Sequence, residues 1–368
     1  MRVLVMTTER DWSMSTRLLL TIAEGLARRG ETVTACYPRA SATATGAESG
    51  FPKVALHSMD DGGFFSQWRA LRRVVSATRP SALLVHGDRD ILIAAFAIGR
   101  KGGVVRRAQL GEQVPRTWRT RAAAARTNVV LLDGHERAPR KHTDTSPALL
   151  SWPTPAERSV RANHVVGTVG AVAKPHPPLV IFPSRDANAN TPVALRTAAH
   201  LLTRNESLRV TLVGDETTLQ ATRIHAASLG LAERLDLISV DDFLYSERLD
   251  ATAVWVTAEG DEGAIALLSA MTRSLPVVVP SGSNIESMVV PRITGFVADG
   301  EDPTAIVAAL ARLVSDVAEQ RAMGDAAAAR ASRVHGWSSW LDRVTSSLQS
   351  ASGFGAAPRA TAATTTPA

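Results

Sequence analysis

Residues 258–310 read AEGDEGAIALLSAMTRSLPVVVPSGSNIESMVVPRITGFVADGEDPTAIVAAL, and the reading of this stretch decides the fold. An acidic, glycine-containing turn (Glu259, Gly260, Asp261, Glu262, Gly263) opens a short apolar helix predicted over 264–271. A buried strand follows at 275–279, then a Ser/Gly loop with Gly282, Ser283, Asn284 and Glu286, then TGFVADGEDP and a further helix. A loop that ends in a helix N-terminus is suited to anions, because the unpaired N–H groups and the helix dipole point the same way. The order strand, loop, helix, strand puts that turn at the carboxyl edge of a parallel sheet, where open α/β folds bind ligands.

Working outward, the strands 179–182, 210–213, 235–239, 253–256 and 276–279 alternate with helical segments, which predicts one parallel sheet. Upstream, the strand 2–6 (RVLVM), an amphipathic helix over 17–29 with Gly30 as its cap, and a strand over 32–37 predict a second one. Further strands are expected at 82–85, 104–107 and 129–132, and helices at 65–77, 91–99 and 116–126. The loop 7–15 holds no glycine, which disfavours close backbone approach to a ligand, and 40–50 reads as a flexible loop. Six prolines between 147 and 178 mark a linker. The expected organisation is therefore a Rossmann-like domain over 1–150, a linker over 151–178 and a second Rossmann-like domain over 179–336. A last helix over 337–349 and a tail over 350–368, too rich in small residues to fold, complete it.

Ala270-Met271, Leu275-Pro276-Val277-Val278, Glu286 and Thr294-Gly295-Phe296-Val297 resemble the donor-binding segment of glycosyltransferase family 4, retaining enzymes of the GT-B fold. That resemblance implies two Rossmann-like, doubly wound α/β domains facing across a cleft. It also implies transfer of a sugar from a nucleotide-diphosphate donor with retention, with no metal and no cofactor. The last helix would return toward the first domain. In the frame fixed by Ala270-Met271, the two glutamate positions of the family pattern hold Asp261, expected near the sugar hydroxyls with Glu262 beside it, and Ser269, where the family grips the ribose. Arg185 follows the strand 179–182 as the family's diphosphate-clamping arginine does. Five residues on, where the family has a lysine, stands Asn190. Arg185, Asp261 and Glu262 are thus the expected catalytic residues. Gly263 and Ala264 would bind the donor through backbone N–H groups, and Gly282, Ser283, Asn284 and Glu286 would line the same cleft, Glu286 either touching the donor or bracing its loop.

In the first domain, His86 ends a strand and fits either a structural role or a contact with sugar or acceptor. Asp88-Arg89-Asp90 and Asp241-Asp242 are too short a pattern to predict a metal site, and prolines at 175, 177 and 178 stop Gly167-x-x-Gly170 from serving as a dinucleotide turn.

Charge is placed unevenly. The net charge is +6, yet residues 1–150 hold 23 Lys+Arg against 13 Asp+Glu, so an anionic partner is expected on the first half. The most basic segment, 99–141, fits a solvated face drawn to anionic lipid or to a lipid-linked acceptor, or a plain charged surface; the acceptor itself is expected to be a glycan or lipid-linked. Nucleic acid is the weakest fit, because no recognition module accompanies the arginines. Cys36 is the only cysteine, which excludes an internal disulfide, and no apolar run is long enough to span a bilayer or serve as a signal peptide. A cytoplasmic location, peripheral at the inner membrane face, is expected. Beside glycosyl transfer, a GT-B scaffold without donor turnover and a nucleotide-sugar epimerase remain open.

Overall fold

The computed structural model describes residues 1–60, 62–99, 102–107, 117–132, 151–154, 157, 179–182, 187–204, 208–214, 216–246, 249–300 and 302–352. The first sheet contains β1 (Arg2–Met6), β2 (Thr32–Pro38), β3 (Ala55–Met59), β4 (Ala82–Val85), β5 (Gly103–Arg107) and β6 (Asn128–Leu132), in the order β3-β2-β1-β4-β5-β6. The second contains β7 (Leu179–Phe182), β8 (Val210–Gly214), β9 (Leu235–Ser239), β10 (Ala253–Val256), β11 (Val277–Pro280) and β12 (Gly295–Ala298), in the order β12-β11-β10-β7-β8-β9. Every pairing is parallel. Both sheets are doubly wound, with the order reversing between β1 and β4 and between β7 and β10, and ligands lie beyond the strand ends at such reversals. The molecule is a two-domain GT-B fold.

Helices cover both faces of each sheet, which is why strands such as Ala82–Val85 and Ala253–Val256 are apolar without alternation. On the first sheet, α1 (Met14–Arg28) and α2 (Ala42–Gly50) lie on one face, and α3 (Phe64–Thr78), α4 (Asp88–Ile98) and α5 (Trp118–Arg126) on the other. On the second, α6 (Ala187–Arg204), α7 (Glu216–Ser228) and α10 (Pro303–Ser315) share one face. The opposite face carries α8 (Val240–Tyr245), α9 (Gly260–Met271) and α11 (Val317–Val334).

That second group faces the first domain. A single apolar cluster runs from Leu18, Leu19 and Ile22 of α1 through Ala266 and Ala270 of α9 to Ala327 and Ala331 of α11. It continues into Trp337, Trp340 and Leu341 of α12 (Trp337–Ser352), which lies against β4, β5 and β6. Gly103 permits the end of that contact: a Cβ there would collide with the carbonyl of Ala351. Arg29 ties the start of α12, donating to Asp342 at 2.6 Å and to the Ser338 carbonyl at 2.7 Å. Helix α12 is a structural part of the first domain.

Several elements differ from the sequence expectation, strand β12 among them. Residues 42–50 form a helix and not a flexible loop. Ser41 caps α2 through a hydrogen bond from the Ala44 N–H at 3.0 Å, and the buried Ala47 seats the helix in the core. Strand β3 was not expected at all, because its sequence ALHSM is exposed along most of its length, as an edge strand's can be. Helix α9 starts at Gly260, inside the acidic turn, and α12 extends to Ser352, past the expected end at 349. The Gly167-x-x-Gly170 stretch and most of the Pro-rich linker lie outside the described residues.

Candidate functional site

The end of β5 and the start of α1 meet the turn after β10 across the domain boundary. On the second-domain side, the turn after β10 is tight: Gly260 has φ 61°, and Gly263 packs so closely on the Ala258 carbonyl that a Cβ would collide with it. Helix α9 therefore begins under the turn, with Asp261 and Glu262 in its first, electropositive turn. Ala264 is buried beneath it.

The loop after β11 is braced from within. Glu286 accepts from the Gly282 N–H at 2.6 Å, Ser283 donates to the Pro280 carbonyl at 2.7 Å, and Asn284 accepts from the Gly260 N–H at 2.9 Å. Glu286 thus holds its loop, and Asn284 ties that loop to the start of α9. The structure brings Gly260, Gly263, Gly282 and Asn284 together.

Ser269 sits elsewhere. It is fully buried near the C-terminal end of α9, where its hydroxyl accepts from Arg273 at 2.5 Å. Arg273 also donates to the carbonyls of Phe243, Leu244 and Ser246 at 3.2, 2.9 and 2.8 Å, closing the end of α8. Burial pushes this guanidinium down to about 10. The Ser269 hydroxyl is therefore part of a link between two helices. Arg185 and the side chain of Asn190, which falls in the first turn of α6, lie outside the described residues.

Asp261 is buried and reaches the first domain. Its Oδ2 accepts from Ser15 Oγ at 3.1 Å and forms an ion pair with Arg107 at the end of β5. Arg107 is wholly buried, and its neighbour Arg106, 2% exposed, pairs with Asp88 at 2.9 Å. Beside this contact, Arg17 pairs with Asp241 at 2.8 Å and Trp12 donates to the same carboxylate at 3.3 Å.

His86 lies at the end of β4, where its Nε2 is 3.2 Å from Glu9 Oε2 and 3.4 Å from Thr7 Oγ1. Thr16 donates to the same Glu9 oxygen at 3.0 Å. Burial alone would raise the Glu9 carboxyl, but hydrogen bonds from His86, Ser13 and Thr16 and the charge on His86 outweigh it and hold the group below its usual value. Next to it Asp90 accepts from the Thr8 N–H at 3.0 Å and from the Thr8 hydroxyl at 2.5 Å. Burial pushes its carboxyl up despite those bonds and the nearby His86 charge.

Reading the sequence missed Arg107, Arg106, Ser15 and Glu9. It placed Arg106 and Arg107 in a solvated basic face over 99–141. The structure corrects this: both arginines are buried and paired with acids. The available signal was their position at the end of VV in a strand expected to be buried, where a charge needs a partner. Among the described residues, no group of three or more His, Cys, Asp or Glu side chains is placed to hold a metal ion.

The same architecture recurs in solved structures. Anabaena HepE, in complex with UDP-glucose, superposes with a TM-score of 0.66 at 13% identity, covering 95% of this chain and 100% of that one. Sucrose-phosphate synthase from Thermosynechococcus elongatus gives 0.64 at 14%, covering 95% and 98%. A putative UDP-N-acetylglucosamine 2-epimerase from Listeria monocytogenes gives 0.61 at 12%, covering 95% and 96%. At these identities the likeness is one of fold. In sequence, residues 171–330 match the profile of the family described as glycosyl transferases group 1, and no curated protein sequence matches the chain. The matched span holds α9, its acidic turn and the braced loop.

Proposed function

We propose that the protein transfers a glycosyl unit from a nucleotide-diphosphate sugar to a glycan or lipid-linked acceptor, with retention at the anomeric carbon as the family 4 resemblance implies. The observation that carries this reading is the group 1 profile match over 171–330, the span in which a glycine-tight turn delivers the N-terminus of α9 to the domain boundary. The donor diphosphate would rest at the N-terminal turn of α9, ahead of Gly263, whose N–H already donates to the Glu259 carbonyl at 3.1 Å, with Arg185 as its cation and Asn190 as a neutral hydrogen-bond donor. Both would stabilise charge as it develops on the departing phosphate oxygen. Glu262 is assigned to the sugar hydroxyls. His86 would meet the acceptor side, and no metal enters the scheme.

The anionic partner of the first domain is assigned to an acidic-lipid surface. Along α3, Phe65 (72% exposed), Arg69, Arg72, Arg73 and Ser76 share one exposed stripe, the helix carries no acid, and the three arginines line a shallow depression. Trp118, 67% exposed, stands beside Arg119 on α5, on the same face of the sheet. The described parts of 99–141 thus contribute Trp118, Arg119 and Arg121, while α3 adds the denser cluster.

The test is calorimetry with UDP, GDP and ADP, followed by a donor-hydrolysis screen on wild type and Arg185→Ala. Micromolar or tighter binding of one nucleotide, hydrolysis of its sugar conjugate, and loss of both in the variant are expected. Silence with all three nucleotides would favour a scaffold without donor turnover. Release of free nucleotide with an epimerised sugar and no acceptor would favour an epimerase. NMR of the product anomer checks retention.

A further inference from the structure

Asp261 occupies the place where the resemblance expects a carboxylate on the donor sugar, yet its Oδ2 is held by two side chains of the other domain. Ser15 reaches it from the first turn of α1 and Arg107 from the end of β5, 246 and 154 residues away in the chain. All three residues are buried, Arg107 completely. Ser15 and Asp261 lie where α1 and α9 pack directly on each other. A buried guanidinium and a buried carboxylate are each costly alone, so each domain supplies the counterion the other needs.

We propose that Asp261 is a positioning residue. Its carboxylate clasps Arg107 and Ser15 and so fixes the first domain over the N-terminal turn of α9, while contact with the donor sugar falls to Glu262 and the backbone. Aspartate suits this role better than the family's glutamate. One methylene fewer keeps the carboxylate close to the helix start, where it meets the incoming arginine and the α9 dipole together. Arg107 is then a fixed, buried element of the first domain at the domain boundary. The consequence for transfer rests on the reading proposed above; the clasp itself does not.

The experiment is a cycle of Asp261→Asn, Arg107→Met and the double variant on the full-length protein, with Ser15→Ala as a milder probe that leaves both charges paired. Substrate-free hydrogen exchange should show each single variant loosening the segment opposite: Arg107→Met at residues 260–265, Asp261→Asn at 103–107. The double variant, with neither charge left uncompensated, should melt higher than either single one. Transfer should fall roughly tenfold to a hundredfold in all three, with no further loss in the double, because a misplaced domain costs rate. Nucleotide affinity should change alike in Asp261→Asn and Arg107→Met.

Exchange that loosens only the mutated domain would overturn the clasp. Full recovery of transfer in the double variant would overturn positioning and leave a structural pair. Loss of nucleotide-sugar affinity in Asp261→Asn but not in Arg107→Met would make Asp261 a donor ligand after all. If one single variant fails to fold, the other, read by the same exchange at the segment opposite, decides, since an unchanged pattern there would sink the clasp. Exchange and melting need no substrate, so they decide the clasp whether or not transfer is found.

Discussion

Glu9 shows how one residue's surroundings set its chemistry. Its folded pKa lies below the ordinary value of 4.5, so its contribution to stability is complete above that pH and is lost as acid protonates it in the folded state. Glu9→Gln should therefore lower the melting temperature at neutral pH, and the wild-type and variant curves should converge as the pH falls well below 4.5. Thermal melts across that range check it. Gly263 makes the opposite kind of demand, for space. Gly263→Ala forces a methyl against the Ala258 carbonyl, so a loss of about 1–3 kcal/mol is expected together with loss of nucleotide binding, read by denaturant unfolding and calorimetry. Of these residues, Gly263 was singled out in the sequence as a backbone contact to the donor, whereas its packing on the Ala258 carbonyl is visible only in the fold. Glu9 was not, since its partners Thr16 and His86 are brought to it by folding and no local pattern announces them.

Among elements, α12 carries an unusual share of the packing. Trp340 is 1% exposed within the cluster that joins both domains, and Trp340→Ala should cost about 3–5 kcal/mol and make the two domains unfold at separate temperatures. Differential scanning calorimetry distinguishes one transition from two. Strands and long helices were readable because apolar runs such as LLV and VVV need cover on both faces and therefore imply flanking helices. Helix α2 and strand β3 were not. The composition of ATATGAESG is that of a loop, and the Ser41 cap with the burial of Thr43, Ala44 and Ala47 makes it a helix. Strand β3 carries His57 and Ser58 because one side of it has no neighbour.

At the level of the whole molecule, charge is divided by depth as well as by domain. Arg106 and Arg107 are spent on internal pairs, whereas Arg69, Arg72 and Arg73 stand exposed with no carboxylate on their own helix. Vesicles containing phosphatidylglycerol should therefore retain the protein while phosphatidylcholine vesicles do not, and raised salt or the triple change Arg69→Gln, Arg72→Gln, Arg73→Gln should release it. Co-sedimentation measures this, and equal binding to both lipids would contradict the assignment. From the sequence, the excess of positive charge in the first half was plain. Which arginines face outward was not, because burial is decided by sheet register and by the other domain.

The placement of α12 has a consequence for the order of assembly. The sheet of the first domain leaves the ribosome with β6, but the helix that covers β4, β5 and β6 is encoded at the far end, after the entire second domain. Until about residue 352 has emerged, that apolar surface is bare. A nascent chain cut short anywhere before α12 will therefore display a sticky, unfinished first half, and binding of such stalled chains by a chaperone should cease only once α12 has emerged.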